Sequence, residues 1–168
     1  MARTVAAGLV PETHETLQHH VHAHLDVFVD GVTYTVPAGI GIRIDDPAVH
    51  SAVNVLGQAS YGGISVPCET PCISPLHTHD TSGTLHTESA VDVDNTLGQF
   101  FVEWGVKLDG QCVGEYCSPQ TPVAVYVDGQ PVATDGAAVN GIALLDRREI
   151  AIVIGTPPAA IPSAFPGA

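Results

Sequence analysis

"HHVHAHLDVFVDG", residues 19–31, alternates in a way that sets the fold. Val21, Ala23, Leu25, Val27 and Val29 are all apolar, while the positions between them are His20, His22, His24, Asp26 and Phe28. Period-two alternation is the signature of a half-buried strand, with successive side chains on opposite faces. One face therefore enters a core, and the imidazoles at 20, 22 and 24 share the other. Asp30-Gly31 supplies a two-residue hairpin turn, and "VTYTVPAG" is the returning strand.

Further along, "PVAVYVDGQPVA" (122–133) repeats the hairpin pattern, and "EIAIVIG" (149–155) reads as a buried strand. "NTLGQFFVEWG" (95–105) reads as a short helix capped by Asn95 or Thr96, with Leu97, Phe100, Phe101 and Trp104 at helical spacing and Gly105 as its stop. "IGIRI" (40–44) is expected to extend the sheet. "DPAVHSAVNV" (46–55) is expected to start a short helix, with Asp46 as N-cap and Pro47 in its first turn. The expected fold is α+β and sheet-rich: antiparallel β-hairpins with one or two short helices, in the element order of a β-grasp. Residues 1–18 are expected as a flexible N-terminal segment, 19–156 as a single metal-binding β-rich domain, and 157–168 as a Pro-rich tail.

Composition narrows the function. The chain has 168 residues, 14% charged, with a formal net charge of −13 and Lys107 as its lysine. Such a surface repels phosphate backbones and anionic lipid and attracts cations, so nucleic acid is not an expected partner. No apolar run is long enough to span a bilayer, so no membrane insertion is expected. "MARTVAAGLVPE" is interrupted by Gly8 and Pro11, unlike a signal peptide, and an export signal is expected to have been removed ahead of it. The four cysteines fall in two close pairs, "PCETPC" and "QCVGEYC", neither with the gap of a zinc knuckle. Disulfides Cys68–Cys72 and Cys112–Cys117 are expected, and with them an extracytoplasmic location, secreted, periplasmic or at the cell surface.

The chemistry is concentrated in "PLHTHDTSGTLHTES" (75–89). If "DTSG" closes a hairpin with a four-residue loop, His77 faces His86, and His77, His79, His86 and Glu88 project from one face. A loop one residue longer or shorter would split the set. Imidazole and carboxylate together suit copper(II), zinc, nickel or iron(II), with copper or zinc first. His22 and His24 form a second claw of the same kind, and His20 on the same face is a spare ligand. The candidate metal ligands are thus His22, His24, His77, His79, His86 and Glu88. Asp26 and Asp80 are expected to orient imidazoles. His14, His19 and His50 stand apart.

"HAHLD" resembles the metal motif of amidohydrolase barrels, and "LHTHD" that of polymerase- and histidinol-phosphatase-type hydrolases. Both families need an α/β barrel longer than this chain. The spacing from His77 to Glu88 is similar to that of cupins, but here the glutamate follows the third histidine and the second half of the cupin pattern is missing. The combination "HAHLDVFVDG", "VPAGIGI", "CISPLHTHDTSGTLH", "TLGQFF", "VDG" and "EIAIVIGTPP" is similar to a family of uncharacterised, mostly exported bacterial and archaeal proteins, over about residues 20–158. The resemblance implies export and a unit of His22, His24, His77, His79 and His86. It implies no reaction.

Three functions fit this reading. The first is an extracytoplasmic protein that holds, buffers or delivers copper or zinc. The second is a small metalloenzyme, a hydrolase or lyase acting through metal-activated water or a copper oxidoreductase, with a small-molecule substrate and Glu88 as candidate catalytic base. The third is an interaction protein whose metal is structural.

Overall fold

The alternation of residues 19–31 becomes an eleven-residue strand at the centre of the molecule. The computed structural model describes residues 1–167. In chain order the elements are α1 (Ala2–Ala6), β1 (His19–Val29), β2 (Val32–Tyr34), β3 (His50–Val53), β4 (Ala59–Gly62), β5 (Leu76–His77), β6 (Thr84–Ser89), α2 (Leu97–Trp104), β7 (Cys112–Val113), β8 (Tyr116–Cys117), β9 (Val123–Val127), β10 (Gln130–Pro131), α3 (Gly136–Asn140) and β11 (Glu149–Ile154). Seven strands form one sheet in the order β10-β9-β11-β1-β6-β5, with β2 also paired to β1.

Strand β1 is long enough to serve three neighbours. Its first half, His19–His24, pairs antiparallel with β6. Its end, Val27–Val29, pairs antiparallel with β2 on the same edge. The opposite edge pairs in parallel with β11 from His24 to Val29. Two hairpins, β1–β2 and β9–β10, thus flank a parallel central pair, β1 and β11, with α2 between them in sequence. That is the β-grasp arrangement, in an α+β fold rich in antiparallel hairpins. Both hairpin turns place Asp then Gly at positive φ, Asp30 and Gly31 in one and Asp128 and Gly129 in the other. Such a turn matches the twist of the strands it joins.

The odd face of β1 enters the core as its pattern requires. Ala23, Leu25 and Val27 pack with Ile150, Ile152 and Ile154 of β11 and with Leu97, Phe100 and Phe101 of α2. Phe100 and Phe101 are almost fully buried, and each is worth roughly 1.5–3 kcal/mol by area removed from water. Helix α2 starts at a capping box. The Thr96 side chain accepts from the Gln99 backbone, and the Gln99 side chain accepts from the Thr96 backbone. Gly105, in the left-handed region, ends it. On the even face, Phe28 packs with Ala151 and Val153 and is covered by Tyr126 and Ile161.

Two local expectations are corrected. Residues 46–55 do not start a helix. Asp46 holds a turn, accepting from the Ala48 backbone through its side chain and from Val49 through its carbonyl. His50–Val53 then pairs with β4 in a separate two-stranded sheet. Residues 40–44 do not extend the main sheet, and Ile42 makes a single bridge to Ile73. The five-residue helices α1 and α3 were not expected. Helix α1 lies against α2, with an Arg3 guanidinium N–H donating to the Trp104 carbonyl at 2.9 Å. Helix α3 is capped by Asp135, which accepts from the Ala138 backbone at 2.8 Å.

Candidate metal centre

Three strands bring three histidines into one row. His22 of β1 is the register partner of His86 of β6, and His86 is the register partner of His77 of β5. One step along, His20 is opposite Glu88. Paired residues point to the same side of a sheet, so all five side chains share the face that β1 keeps out of the core. The β5–β6 register is the one that a four-residue loop dictates, but the ladder stops at His77. Residues 78–83 form a wider loop, and His79 turns aside to β4.

His79 reaches the cluster by a route absent from the hairpin reading. The Tyr61 N–H donates to the His79 carbonyl at 2.9 Å, and His79 Nδ1 donates to the Tyr61 carbonyl at 2.6 Å. Strand β4 therefore grips His79 and aims its ring back at the row. Gly62, at φ +137°, makes this approach possible, because a Cβ there would collide with the His79 ring. His77 is held likewise, with Nδ1 donating to the Ser74 carbonyl at 2.8 Å.

These backbone contacts fix the tautomers. A carbonyl oxygen only accepts, so both Nδ1 atoms carry a proton and each neutral ring presents Nε2 as a bare acceptor. The two Nε2 atoms are 3.2 Å apart. Two lone pairs at that distance repel unless a cation, a proton or a metal ion, sits between them.

Three groups of donors have atoms that all lie within 4.8 Å of one another: His77, His79, His86 and Glu88; His20, His22, His86 and Glu88; and, apart from these, His24, Asp26 and Glu149. Each could hold a metal ion. Donors around a tetrahedral zinc with bonds of about 2.0–2.1 Å lie about 3.3 Å apart. Glu88 Oε1 is 3.3 Å from His20 Nε2, 3.4 Å from His86 Nδ1 and 3.8 Å from His79 Nε2. His20 and His22 meet through their Nε2 atoms at 2.9 Å. Small shifts of side chains would bring either of the first two groups to bonding geometry.

Burial tunes the charges. His77 is fully buried, and that burial together with the neighbouring His79 lowers its pKa to about 3. It is neutral, with its lone pair available, throughout the ordinary pH range. His22 is also lowered, by burial and then by His86 and His20. For His79, burial alone would lower the pKa, but Glu88 and the Tyr61 carbonyl outweigh it and raise it. Glu88 is 5% exposed. Its burial favours the neutral acid, yet His79 and His86 hold it as a carboxylate, well below the usual range. Glu88 Oε2 and His86 Nδ1 are buried without a hydrogen-bond partner. A buried carboxylate oxygen in that condition is costly unless a cation meets it.

His24 is not brought into this cluster. Its Nε2 donates to the Ser82 carbonyl at 2.9 Å, and its Nδ1 lies 2.9 Å from Glu149 Oε2. With both nitrogens engaged, His24 pairs with the buried Glu149 carboxyl, whose own pKa burial raises, and it braces the 78–83 loop against β11. Burial opposes its charge, but Glu149 and Ser82 outweigh that and raise its pKa. Asp26 is more distant, 3.9 Å from His24 Nδ1. Asp80 does not orient an imidazole; its Oδ1 accepts from the Ser82 backbone at 2.8 Å. His19, on the opposite face of β1, pairs with Asp92 at 2.9 Å.

Sequence reasoning missed the Ser74 and Tyr61 carbonyls, the grip of β4 and the Glu149 partner of His24. None leaves a side-chain signal near the histidines. His20 was legible as a spare ligand and lies within the second group. The disulfides Cys68–Cys72 and Cys112–Cys117 are both formed, which suggests an oxidising, extracytoplasmic environment. Among the described residues no helix is long and apolar enough to cross a membrane. No family model, curated protein or solved structure matches the chain.

Proposed function

We propose that the protein is an extracytoplasmic metal-binding protein that holds copper or zinc at the group of His77, His79 and His86, next to His22, with Glu88 as a ligand or as the base beside the ion. The observation that carries this reading is the convergence of the His77 and His79 Nε2 atoms, 3.2 Å apart, beside a buried carboxylate with an unpartnered oxygen. Neutral imidazole with carboxylate selects borderline divalent ions over magnesium or calcium. The net charge of −13 adds attraction for cations. The test is titration of metal-free protein with copper(II) and zinc by calorimetry. Stoichiometric binding is expected, and its loss in His77→Ala/His86→Ala. Equal binding by wild type and this double variant would refute the reading.

One observation favours a metalloenzyme as the second reading. A cleft of about 590 Å³ is lined by His20, His79 and Glu88 together with Glu15, His50, Ser51 and Tyr61. It would admit a small molecule beside the ion, where metal-activated water serves hydrolysis or hydration. Glu88→Gln separates the roles. Retained metal with lost turnover makes Glu88 a base, and lost metal makes it a ligand.

A further inference from the structure

The donors at this face outnumber the places on one ion. A zinc or copper ion in a protein takes about four ligands, whereas five imidazoles and one carboxylate converge here. They do so as two claws on different segments. His20 and His22 project from β1 with Nε2 atoms 2.9 Å apart. His77 and His79 project from β5 and the loop after it, with Nε2 atoms 3.2 Å apart. Each claw belongs to its own group, and the groups share His86 and Glu88.

We infer that the face holds two divalent transition-metal ions, one on each claw, bridged by the Glu88 carboxylate. This rests on the metal reading above and extends it. Glu88 lies between the claws: Oε1 is 3.3 Å from His20 Nε2 and 3.8 Å from His79 Nε2, and Oε2 is 3.9 Å from His77 Nε2. Its register partner is His20 and its backbone is fixed to Pro75 ahead of β5, so the carboxylate is tied to both claws. Oε2 has no hydrogen-bond partner, although Glu88 is 5% exposed. A bridging carboxylate uses both oxygens, or one oxygen twice, and so accounts for a side chain that no single claw needs. His86, in both groups, completes whichever ion its ring faces.

Two ions bring more positive charge than Glu88 balances, and the surroundings supply it. Asp146 Oδ1 accepts from the His22 backbone at 3.1 Å. Glu15 Oε1 accepts from the Gly63 backbone at 2.8 Å, beside the glycine against which His79 packs. Ions held in this way by protein ligands lie about 3.5–4 Å apart in known two-metal sites.

The test counts ions. Protein purified without chelating resin is stripped, loaded with zinc, desalted and assayed for metal per chain. Wild type is expected to retain two ions, and His20→Ala/His22→Ala and His77→Ala/His79→Ala one each. Circular dichroism checks that the variants are folded; the His20 and His22 rings are the more exposed, so that variant carries the test if the other misfolds. Wild type with one ion, unchanged in His20→Ala/His22→Ala, would overturn the second ion and leave the metal reading standing. Two ions retained in His20→Ala/His22→Ala would place the second ion elsewhere and overturn the assignment. No ion in wild type would sink both readings. Loading with copper(II) tests the bridge. A magnetically coupled pair, with the isolated-ion resonance diminished and restored in Glu88→Ala that still binds copper, is expected, and two uncoupled copper signals in wild type would overturn the bridge.

Discussion

His22 and His86 face each other across β1 and β6 with ring centroids 4.5 Å apart. The opposition depends on register alone. A slip of one residue would send His86 into the core and Leu85 onto the polar face. The buried face of the sheet, where Ala23 opposes Leu85, therefore fixes the position of the donors.

Acid is expected to destabilise the metal-free protein. His77 titrates near 6.5 when unfolded and at about 3 when folded. Between these values the unfolded chain binds the proton and the folded chain does not, so stability falls as pH falls from 6.5 towards 3, by a few kcal/mol at most. Glu88, depressed on folding from an ordinary value of 4.5, stabilises above 4.5, and that contribution is lost as pH falls further. Melting temperature measured against pH should decline in this window, and His77→Asn should flatten its upper part. A wild-type profile flat from pH 7 to 4 would contradict the assignment.

Metal affinity should show its own pH dependence. His79 is raised above 6.5, so protons compete for its lone pair at a higher pH than for a free histidine. Calorimetry with zinc from pH 8 to 5.5 should show affinity falling from above pH 6.5 downward. Constant affinity over that range would argue against His79 as a ligand.

Gly62→Ala is expected to weaken binding through His79, without touching the other donors. The added methyl group collides with the His79 ring, at a φ that L residues seldom adopt. Loss of an orienting contact typically costs about 10–100-fold in metal affinity, and the backbone strain adds about 1–3 kcal/mol of instability. Unchanged zinc affinity would show that the grip of β4 on His79 is unimportant.

His24→Gln is expected to destabilise the fold and spare the metal. Leaving the buried Glu149 carboxyl without its hydrogen-bond partner costs about 1–3 kcal/mol. Denaturant unfolding should report the loss, and the stoichiometry of metal binding should not change. A variant that folds normally but holds no metal would make His24 a ligand.

Native protein should contain no alkylatable thiol, since all four cysteines are paired. Cys68→Ser/Cys72→Ser removes a small loop worth about 2 kcal/mol in the chain-entropy estimate. Cys72 is followed directly by Ile73 and Ser74, and the Ser74 carbonyl orients His77. Metal affinity should therefore fall along with melting temperature. A fall in melting temperature alone would uncouple the disulfide from the site.

The β1 alternation was legible because one face of that strand is truly apolar, and the two Asp-Gly turns because their backbone demands those residues. The His77–His86 register followed from the parity of the "DTSG" loop. The failures share a cause. His50–Val53 forms a strand only because residues 59–62 lie beside it, and local pattern does not name a partner. The partner of His24 is Glu149, 125 residues away, brought near by the parallel pairing of β1 with β11. His24 shares its strand face with His20 and His22, and only tertiary pairing groups it instead with Asp26 and Glu149.

The long strand β1 also sets an order of assembly. Every donor of the candidate centre lies between His20 and Glu88, on one edge of β1 and its neighbours β5 and β6. The partner on the other edge, β11, begins at Glu149. As the chain emerges from its amino end, the histidine half of the sheet is complete in sequence some sixty residues before the half that closes the core. An ion captured by that early half would hold β1, β5 and β6 in register while the edge awaiting β11 is still open. Metal supply would then influence how much of the newly made chain reaches the folded state, as well as what the finished protein carries.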